Sequence, residues 1–237
     1  MSRSTQTRGD CVYCGREMTR SGLARHLGTC PGRLEVQAEA DRSRRHRQTL
    51  YHLQVQDAWM GSFWLHLEMR GNATLDDLDY YLRAIWLECC GHLSAFELGH
   101  VTYTQIFDDD MLMGDERAMN VRVGALFQPG MEIPYEYDFG TTSHLVIKVI
   151  NQRTGKPTTS NPIVLMARNK FEPPPCMECG KPATHLCAEC LQEREDGRCE
   201  LCDEHAQTHV HDEYIMRLVN SPRTGMCGYD GPAEPPY

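Results

Sequence analysis

The chain has 237 residues, a net charge of −9 and an apolar content of 41%. That length allows one large or two small domains, and no run reaches the roughly 18 apolar residues that a helical membrane span requires. The N-terminus is polar and Arg-bearing without an apolar core, so no signal peptide is expected. Twelve cysteines, most of them in metal-ligand spacings, fit a reducing compartment and a soluble cytoplasmic protein.

The charge is uneven. Residues 1–48 carry ten Arg against five acidic residues, a balance of +5 that leaves −14 on the remainder. An acidic body does not coat nucleic acid, but a basic arm supplies phosphate contacts. Arg42, Arg44, Arg45 and Arg47 are therefore candidate contacts to DNA or RNA, weighed evenly against a solvated charge run.

Residues 1–10 have no hydrophobic period and read as disordered. Cys11-x2-Cys14-x11-His26-x3-Cys30 follows, with Met18 and Leu23 at the places of the small apolar core of a ββα finger. Four such ligands suit tetrahedral zinc, and a unit of about 20 residues needs the metal to fold. In a DNA-reading pose, Thr19, Ser21, Gly22 and Arg25 would face the bases, and of these only Arg25 offers a strong guanine contact. The spacing also resembles the small ubiquitin-binding fingers of DNA-repair proteins, which makes protein docking the rival role. Residues 31–48 read as a flexible or marginally helical tether.

From Thr49 the pattern is α+β with a mostly antiparallel sheet and one main helix, flanked by two small zinc-stabilised modules. Strands are expected at Leu50–Gln56, Phe63–Met69, Val101–Phe107, Glu132–Tyr137, Leu145–Ile150 and Ile163–Ala167. Thr74 is a good N-cap with Asp77 three residues on, and Leu75, Leu78, Leu82 and Ile85 form one apolar face ending near Gly91. The domain boundaries are set at 1–48, 49–170 and 171–237. Pro173-Pro174-Pro175 is a stiff spacer between the last two.

Thr74-Leu75-Asp76-Asp77-Leu78, Trp86, His92-Leu93-Ser94-Ala95-Phe96 and Tyr135-Glu136-Tyr137-Asp138-Phe139-Gly140 resemble the plasmid pRiA4b open-reading-frame-three-like family over about residues 50–170. The tail segment from Asn220 to Tyr229 is similar to some relatives as well. The resemblance implies the fold of the middle domain and no agreed activity. The family name alone suggests a bacterial mobile-element or defence setting.

The strongest signal is Cys176-x2-Cys179-x7-Cys187-x2-Cys190-x8-Cys199-x2-Cys202-x2-His205, with His209 and His211 behind it. Three Cys pairs and a His cluster supply two closed zinc sites. A sequential and a cross-braced arrangement both fit the spacing. The ligand order resembles B-box zinc domains, which implies a cross-brace with Cys176, Cys179, Cys199 and Cys202 on one ion. Cys187, Cys190 and two of His205, His209 and His211 would hold the other. A helical stretch would pair His205 with His209, while an extended His209-Val210-His211 would favour another pair. Tyr214 to Val219 should form a short strand or helix that packs the zinc module onto the central domain, and Gly231 to Tyr237 should fray.

No catalytic set is complete. Asp138-Phe139-Gly140 spells the kinase magnesium motif without any of its companions, and Asp108, Asp109 and Asp110 read as a solvated turn. Glu136, Asp138 and His144 are the nearest thing to a metal-dependent hydrolase trio, on the premise that alternation puts both carboxylates on one strand face. Cys89-Cys90 beside His92 reads as core packing before a Cys-His nucleophile, and Cys227 as a spare ligand or a buried thiol. His52, His66 and His100 read as packed or surface residues. The expectation is a non-enzymatic adaptor carrying three Zn2+ ions and docking a protein partner, with a nucleic-acid accessory factor as the alternative and no membrane role.

Overall fold

The structure, a computed structural model, describes residues 7–105, 112 and 114–237. Residues 1–6 and the run Asp108, Asp109 and Asp110 lie outside the described residues. The chain forms two compact units. The larger comprises residues up to 82, residues 92–170 and Tyr237, and the smaller comprises 83–91 and 171–236.

In the larger unit, β1 (Arg8–Cys11), β2 (Glu17–Thr19) and α1 (Arg20–His26) make the finger, and α2 (Pro31–Arg42) follows it. Then come β3 (Gln48–Asp57), β4 (Trp64–Arg70), α3 (Leu75–Leu82), β5 (Ser94–Leu98), β6 (Val101–Thr104) and β7 (Glu116–Ala118). Next are β8 (Glu132–Tyr137), β9 (Ser143–Gly155) and β10 (Ile163–Asn169). Among the described residues these strands form one ten-stranded sheet in the order β2-β1-β10-β4-β3-β9-β8-β5-β6-β7. Only the β6–β7 pair is parallel there, so the α+β, mostly antiparallel expectation holds.

The expected disorder at residues 7–10 gives way to β1, which pairs with β10 from Gly9↔Asn169 to Cys11↔Ala167. The finger is thereby an extension of the central sheet. Residues 31–42, read as a tether, are a helix. Pro31 sits at its first turn, where no intrahelical N–H is required. Its sequence hides it because Leu34 and Val36 are exposed, while the inward side chains are Arg33 and Ala40.

The anchor is ionic. Arg33 Nη2 lies 2.7 Å from Glu68 Oε2, and Arg153 Nη2 lies 2.8 Å from Glu68 Oε1. Arg33 Nη1 also donates to the Leu27 carbonyl at 2.7 Å. These bonds tie α2 and the end of the finger to β4 and β9.

Alternation in β3 and β4 explains this burial. Leu53, Val55, Leu65, Leu67 and Met69 share one face of the sheet. His52, Gln54, His66 and Glu68 share the other face, yet all four are buried. A carbonyl only accepts, so the 3.0 Å contact of His66 Nε2 with the Arg20 carbonyl places a proton on Nε2. Neutral His66 then accepts at Nδ1 from His52 Nε2 at 2.9 Å.

Burial, joined by the neighbouring His66 and Arg33 charges, pushes the His52 pKa down to about 3. Burial likewise takes His66 down to about 4. Both lie below the unfolded value of about 6.5. Their stabilising contribution is therefore complete above pH 6.5 and is lost as the pH falls towards the folded values, at about 1.4 kcal/mol per pH unit for each histidine. Between pH 7 and pH 5 the stability gap between wild type and His52→Gln should shift by about 2 kcal/mol in favour of the variant. Urea titrations followed by tryptophan fluorescence measure this, and a gap independent of pH would refute it. Ligand protonation at metal sites affects both proteins and cancels in the difference.

α3 begins with the anticipated cap. Asp77 N–H donates to Thr74 Oγ1 at 3.2 Å, and Thr74 N–H donates to Asp77 Oδ2 at 2.8 Å, a reciprocal capping box. Asp79 then accepts from Ser94 Oγ at 2.6 Å and from Tyr135 Oη at 2.7 Å, fixing the helix to β5 and β8.

The smaller unit opens with a wide π turn, Arg83–Leu87. Later come β11 (His185–Cys187), α4 (Ala188–Glu193), β12 (Glu200–Leu201), α5 (Asp203–Ala206) and β13 (Ile215–Arg217). Its sheet has the order β12-β11-β13. The apolar stretch after Val210 thus supplies a strand, which pairs with β11 within the smaller unit's own sheet. The expected fraying at the C-terminus is not seen at Tyr237, whose ring lies 5.7 Å from that of Tyr81.

Candidate metal centres

In the finger, Cys11, Cys14, His26 and Cys30 converge, their donor atoms all within 4.8 Å of one another. Cys11 ends β1, and the chain then turns back on itself. Gly15 N–H donates to the Cys11 carbonyl at 2.8 Å, and Cys11 N–H to the Arg16 carbonyl at 3.1 Å. Gly15 has φ +67°, which a side chain would disfavour. This knuckle presents both sulfurs to one point. α1 supplies His26, and Cys30 sits at the N-cap of α2. Leu23, Leu27, Trp64 and Met166 pack beneath.

The smaller unit repeats the knuckle at Cys176–Gly180. Gly180 N–H donates to the Cys176 carbonyl at 2.9 Å, Cys176 N–H to the Lys181 carbonyl at 2.7 Å, and Gly180 has φ +74°. Cys176, Cys179, Cys202 and His205 form one group there, and Cys187, Cys190, His209 and His211 form another. Along the chain the donors alternate between the groups in pairs, which is a cross-brace. Cys187 and Cys190 meet because Cys187 caps α4, with Cys190 N–H donating to its sulfur at 3.4 Å.

The ligand sets differ from the sequence reading at one cysteine. Cys199 and Cys202 flank the two residues of β12, and positions three apart across a strand point to opposite faces. Cys202 turns to His205, while Cys199 lies outside both groups and its carbonyl accepts from Cys187 N–H at 2.8 Å. His205 takes the place expected for Cys199. α5 ends at Ala206, so the helical pairing of His205 with His209 does not arise. His209 and His211 lie beyond the helix in an irregular segment, with a bend at Val210, and both join the second group.

Zinc–sulfur bonds of about 2.3 Å and zinc–nitrogen bonds of about 2.0–2.1 Å in a tetrahedron put sulfurs about 3.8 Å apart, and sulfur and nitrogen about 3.6 Å apart. The finger has Cys11–Cys30 at 3.8 Å and Cys14–His26 Nε2 at 3.2 Å. The first cross-brace group has Cys179–Cys202 at 3.8 Å, Cys176–His205 Nδ1 at 3.5 Å and Cys202–His205 Nδ1 at 3.3 Å. The second has Cys187–His211 Nδ1 at 3.7 Å, Cys190–His209 Nε2 at 3.2 Å and Cys190–His211 Nδ1 at 3.6 Å. A disulfide needs about 2.05 Å, and the paired sulfurs, 3.8 Å apart in both the finger and the first cross-brace group, are far beyond that. The donors fit the edges of a tetrahedron around a metal ion.

The thiols are unevenly prepared for it. Burial pushes Cys11 up to about 11. Burial also opposes ionisation of Cys176, yet the backbone N–H groups of Cys202, Cys179 and Glu178 hold it down at about 6. The thiolate is the ligand, so loading the finger releases a proton from Cys11 at neutral pH.

The hydrolase trio is not assembled. β8 ends at Tyr137, and Asp138 adopts φ +67°, which breaks the alternation that would have put it beside Glu136. Glu136 Oε1 meets His144 Nδ1 at 3.1 Å, whereas Asp138 Oδ2 meets His92 Nε2 at 3.4 Å.

The nucleic-acid candidates divide. Thr19 spends its hydroxyl capping α1, accepting from Gly22 N–H at 3.2 Å. Ser21 and Arg25 remain exposed on α1. Arg45 donates to the Thr158 carbonyl at 3.0 Å, in the β9–β10 connection, and Arg47 to the Thr154 carbonyl at 3.2 Å, at the end of β9. Arg42 and Arg44 are exposed. Among the described residues no helix is long and apolar enough to cross a membrane.

Comparison with known proteins adds the family. No curated protein matches the chain. A crystal structure of a protein of unknown function from Methanosarcina mazei Go1 is similar at 18% identity and a TM-score of 0.41, over 51% of this chain and 68% of that one. The plasmid pRiA4b ORF-3-like family matches residues 50–217, which takes in the cross-braced cysteines as well as the central sheet and leaves the finger outside. The chain belongs to the plasmid pRiA4b ORF-3-like protein family.

Proposed function

We propose that this chain is a non-enzymatic, zinc-binding adaptor that docks a protein partner, in a mobile-element or defence setting. The observation that carries the reading is the closure of its donor sets. Each of the three groups brings four Cys or His donors together, whereas catalytic zinc has three protein ligands and keeps one position for water or substrate. Closed sites stabilise small folds, and small metal-stabilised folds present surfaces.

A second reading rests on Arg25, Arg42 and Arg44, which are exposed and lie in the basic N-terminal part of the chain. It makes the protein a nucleic-acid accessory factor. Deleting residues 1–48 would not test it cleanly, because β1 covers the edge of β10. The better comparison is wild type against Arg25→Ala/Arg42→Ala/Arg44→Ala, binding duplex and single-stranded DNA across a salt series. We expect no binding by either at low salt. Binding that the triple variant loses, and that weakens steeply with salt, would replace the adaptor by the nucleic-acid reading. A purified chain with well under three zinc equivalents would refute the zinc part.

A further inference from the structure

We propose that Cys89, Cys90 and Cys227 form a fourth metal site in the smaller unit, for a soft, thiophilic cation of the zinc class. The sulfurs of Cys89 and Cys90 are 3.6 Å apart, and those of Cys90 and Cys227 are 3.7 Å apart. These are the sulfur–sulfur edges of a zinc tetrahedron, about 3.8 Å, and far from a disulfide.

Packing does not account for the cluster. Cys in a core behaves as a small buried hydrophobe, and only Cys89 touches a core, that of Val219, Tyr229 and Ala233. Cys90 and Cys227 are exposed. Both are followed by a glycine of positive φ, Gly91 at +75° and Gly228 at +70°. Cys14-Gly15 and Cys179-Gly180, in the two knuckles, share that arrangement.

The backbone holds the third thiol in an unfavourable conformation. Cys227 is a non-glycine residue at φ +50°, a state that persists only where the surroundings over-determine it. Here Met226 N–H donates to the Arg223 carbonyl at 2.9 Å, Tyr229 N–H to the Met226 carbonyl at 3.0 Å, and Gly225 N–H to the Tyr229 carbonyl at 2.9 Å. On the other side, Cys89 and Cys90 lie just past the π turn, with only Glu88 between, and that conformation recurs at functional sites.

Charge fits too. Arg223 is fully buried, and its Nη2 lies 3.4 Å from Cys89 Sγ. Three thiolates on a divalent ion carry a net charge of −1, which a buried guanidinium complements. In sequence, the next donor is His92, two residues beyond Cys90.

The test is the zinc content of the full reduced chain, with Cd2+ titration of the thiolate charge-transfer band as a second readout. Wild type should hold four equivalents. Cys90→Ser/Cys227→Ser should hold one fewer with an unchanged near-UV circular dichroism spectrum, and Cys90→Ser alone should bind the fourth Cd2+ at least tenfold more weakly. Equal metal content and equal titrations in wild type and variants would overturn the proposal. The inference stands apart from the three-site reading. A total of three unaffected by these substitutions refutes only the fourth site, whereas a total below three that still falls by one refutes only the three-site reading.

Discussion

Glu68→Ala is expected to destabilise the larger unit by about 3–5 kcal/mol, the usual penalty for leaving a buried charge without its partner. Glu68 has 4% side-chain exposure and Arg33 has 8%, so neither water nor salt compensates for the missing carboxylate. Arg153, at 26%, suffers less. Replacing both partners by apolar residues of similar volume, Glu68→Leu with Arg33→Met, should recover most of the loss, because the pair's net worth is small against a hydrophobic isostere. The effect should also reach the finger. Arg33 lies three residues beyond Cys30 and holds the Leu27 carbonyl, between the two C-terminal metal donors. On the metal-bound reading of the finger, Glu68→Ala should therefore speed metal loss to a chelator there and leave the cross-brace groups unchanged. Urea unfolding by tryptophan fluorescence and stopped-flow chelation measure the two parts. A loss under 1 kcal/mol would mean that water reaches the guanidinium.

Much of this arrangement was legible because local chemistry and tertiary structure agree. The Thr74–Asp77 capping box forms as its spacing requires, and the alternation of β3 and β4 puts Leu53, Val55, Leu65 and Leu67 on one face. What alternation hides is the fate of the opposite face. His52, Gln54, His66 and Glu68 look like solvent-facing residues until the finger and α2 cover them. That covering depends on β1 pairing with β10 through three register pairs, from Gly9↔Asn169 to Cys11↔Ala167, whose partners lie at opposite ends of the larger unit's sequence. A pattern window of 11–18 residues carries no such information. α2 escaped for a related reason: an amphipathic reading counts apolar residues, and this helix is held by an ion pair.

The candidate metal sites show the same limit at finer scale. Two of the Cys-x2-Cys pairs in the tail, 176–179 and 187–190, are closed by a knuckle and by a helix cap. Both devices bring residues three apart together. The spacing of Cys199 and Cys202 is identical, but a strand separates them, and a strand does the opposite. One signal was available. Cys14 and Cys179 are each followed by glycine, as a knuckle with a left-handed fifth residue favours, whereas Cys202 is followed by Asp203.

That distinction sets the second large expectation. Cys202→Ser should lose one metal equivalent and unfold the part of the smaller unit around β11 and β12. Cys199→Ala should keep the full metal content and cost only about 1 kcal/mol from a small buried cavity. The contrast is large because apparent zinc binding to a structural site is worth about 10–16 kcal/mol at neutral pH, and in a small fold that binding energy is folding energy. Cys202 touches both Cys179 and His205 at 3.8 and 3.3 Å, so removing its sulfur opens the first site on two edges. The cross-brace also predicts how the damage spreads. Thr184 N–H donates to the Leu201 carbonyl at 2.9 Å, and Cys187 N–H to the Cys199 carbonyl at 2.8 Å, so β12 joins the first site to the start of α4. Loss of the first ion should then weaken the second, whereas two independent sites would leave His209 and His211 loaded. Zinc content and limited proteolysis of Cys202→Ser, Cys199→Ala and wild type separate these outcomes. Equal metal loss from both variants would return Cys199 to the ligand set and displace His205.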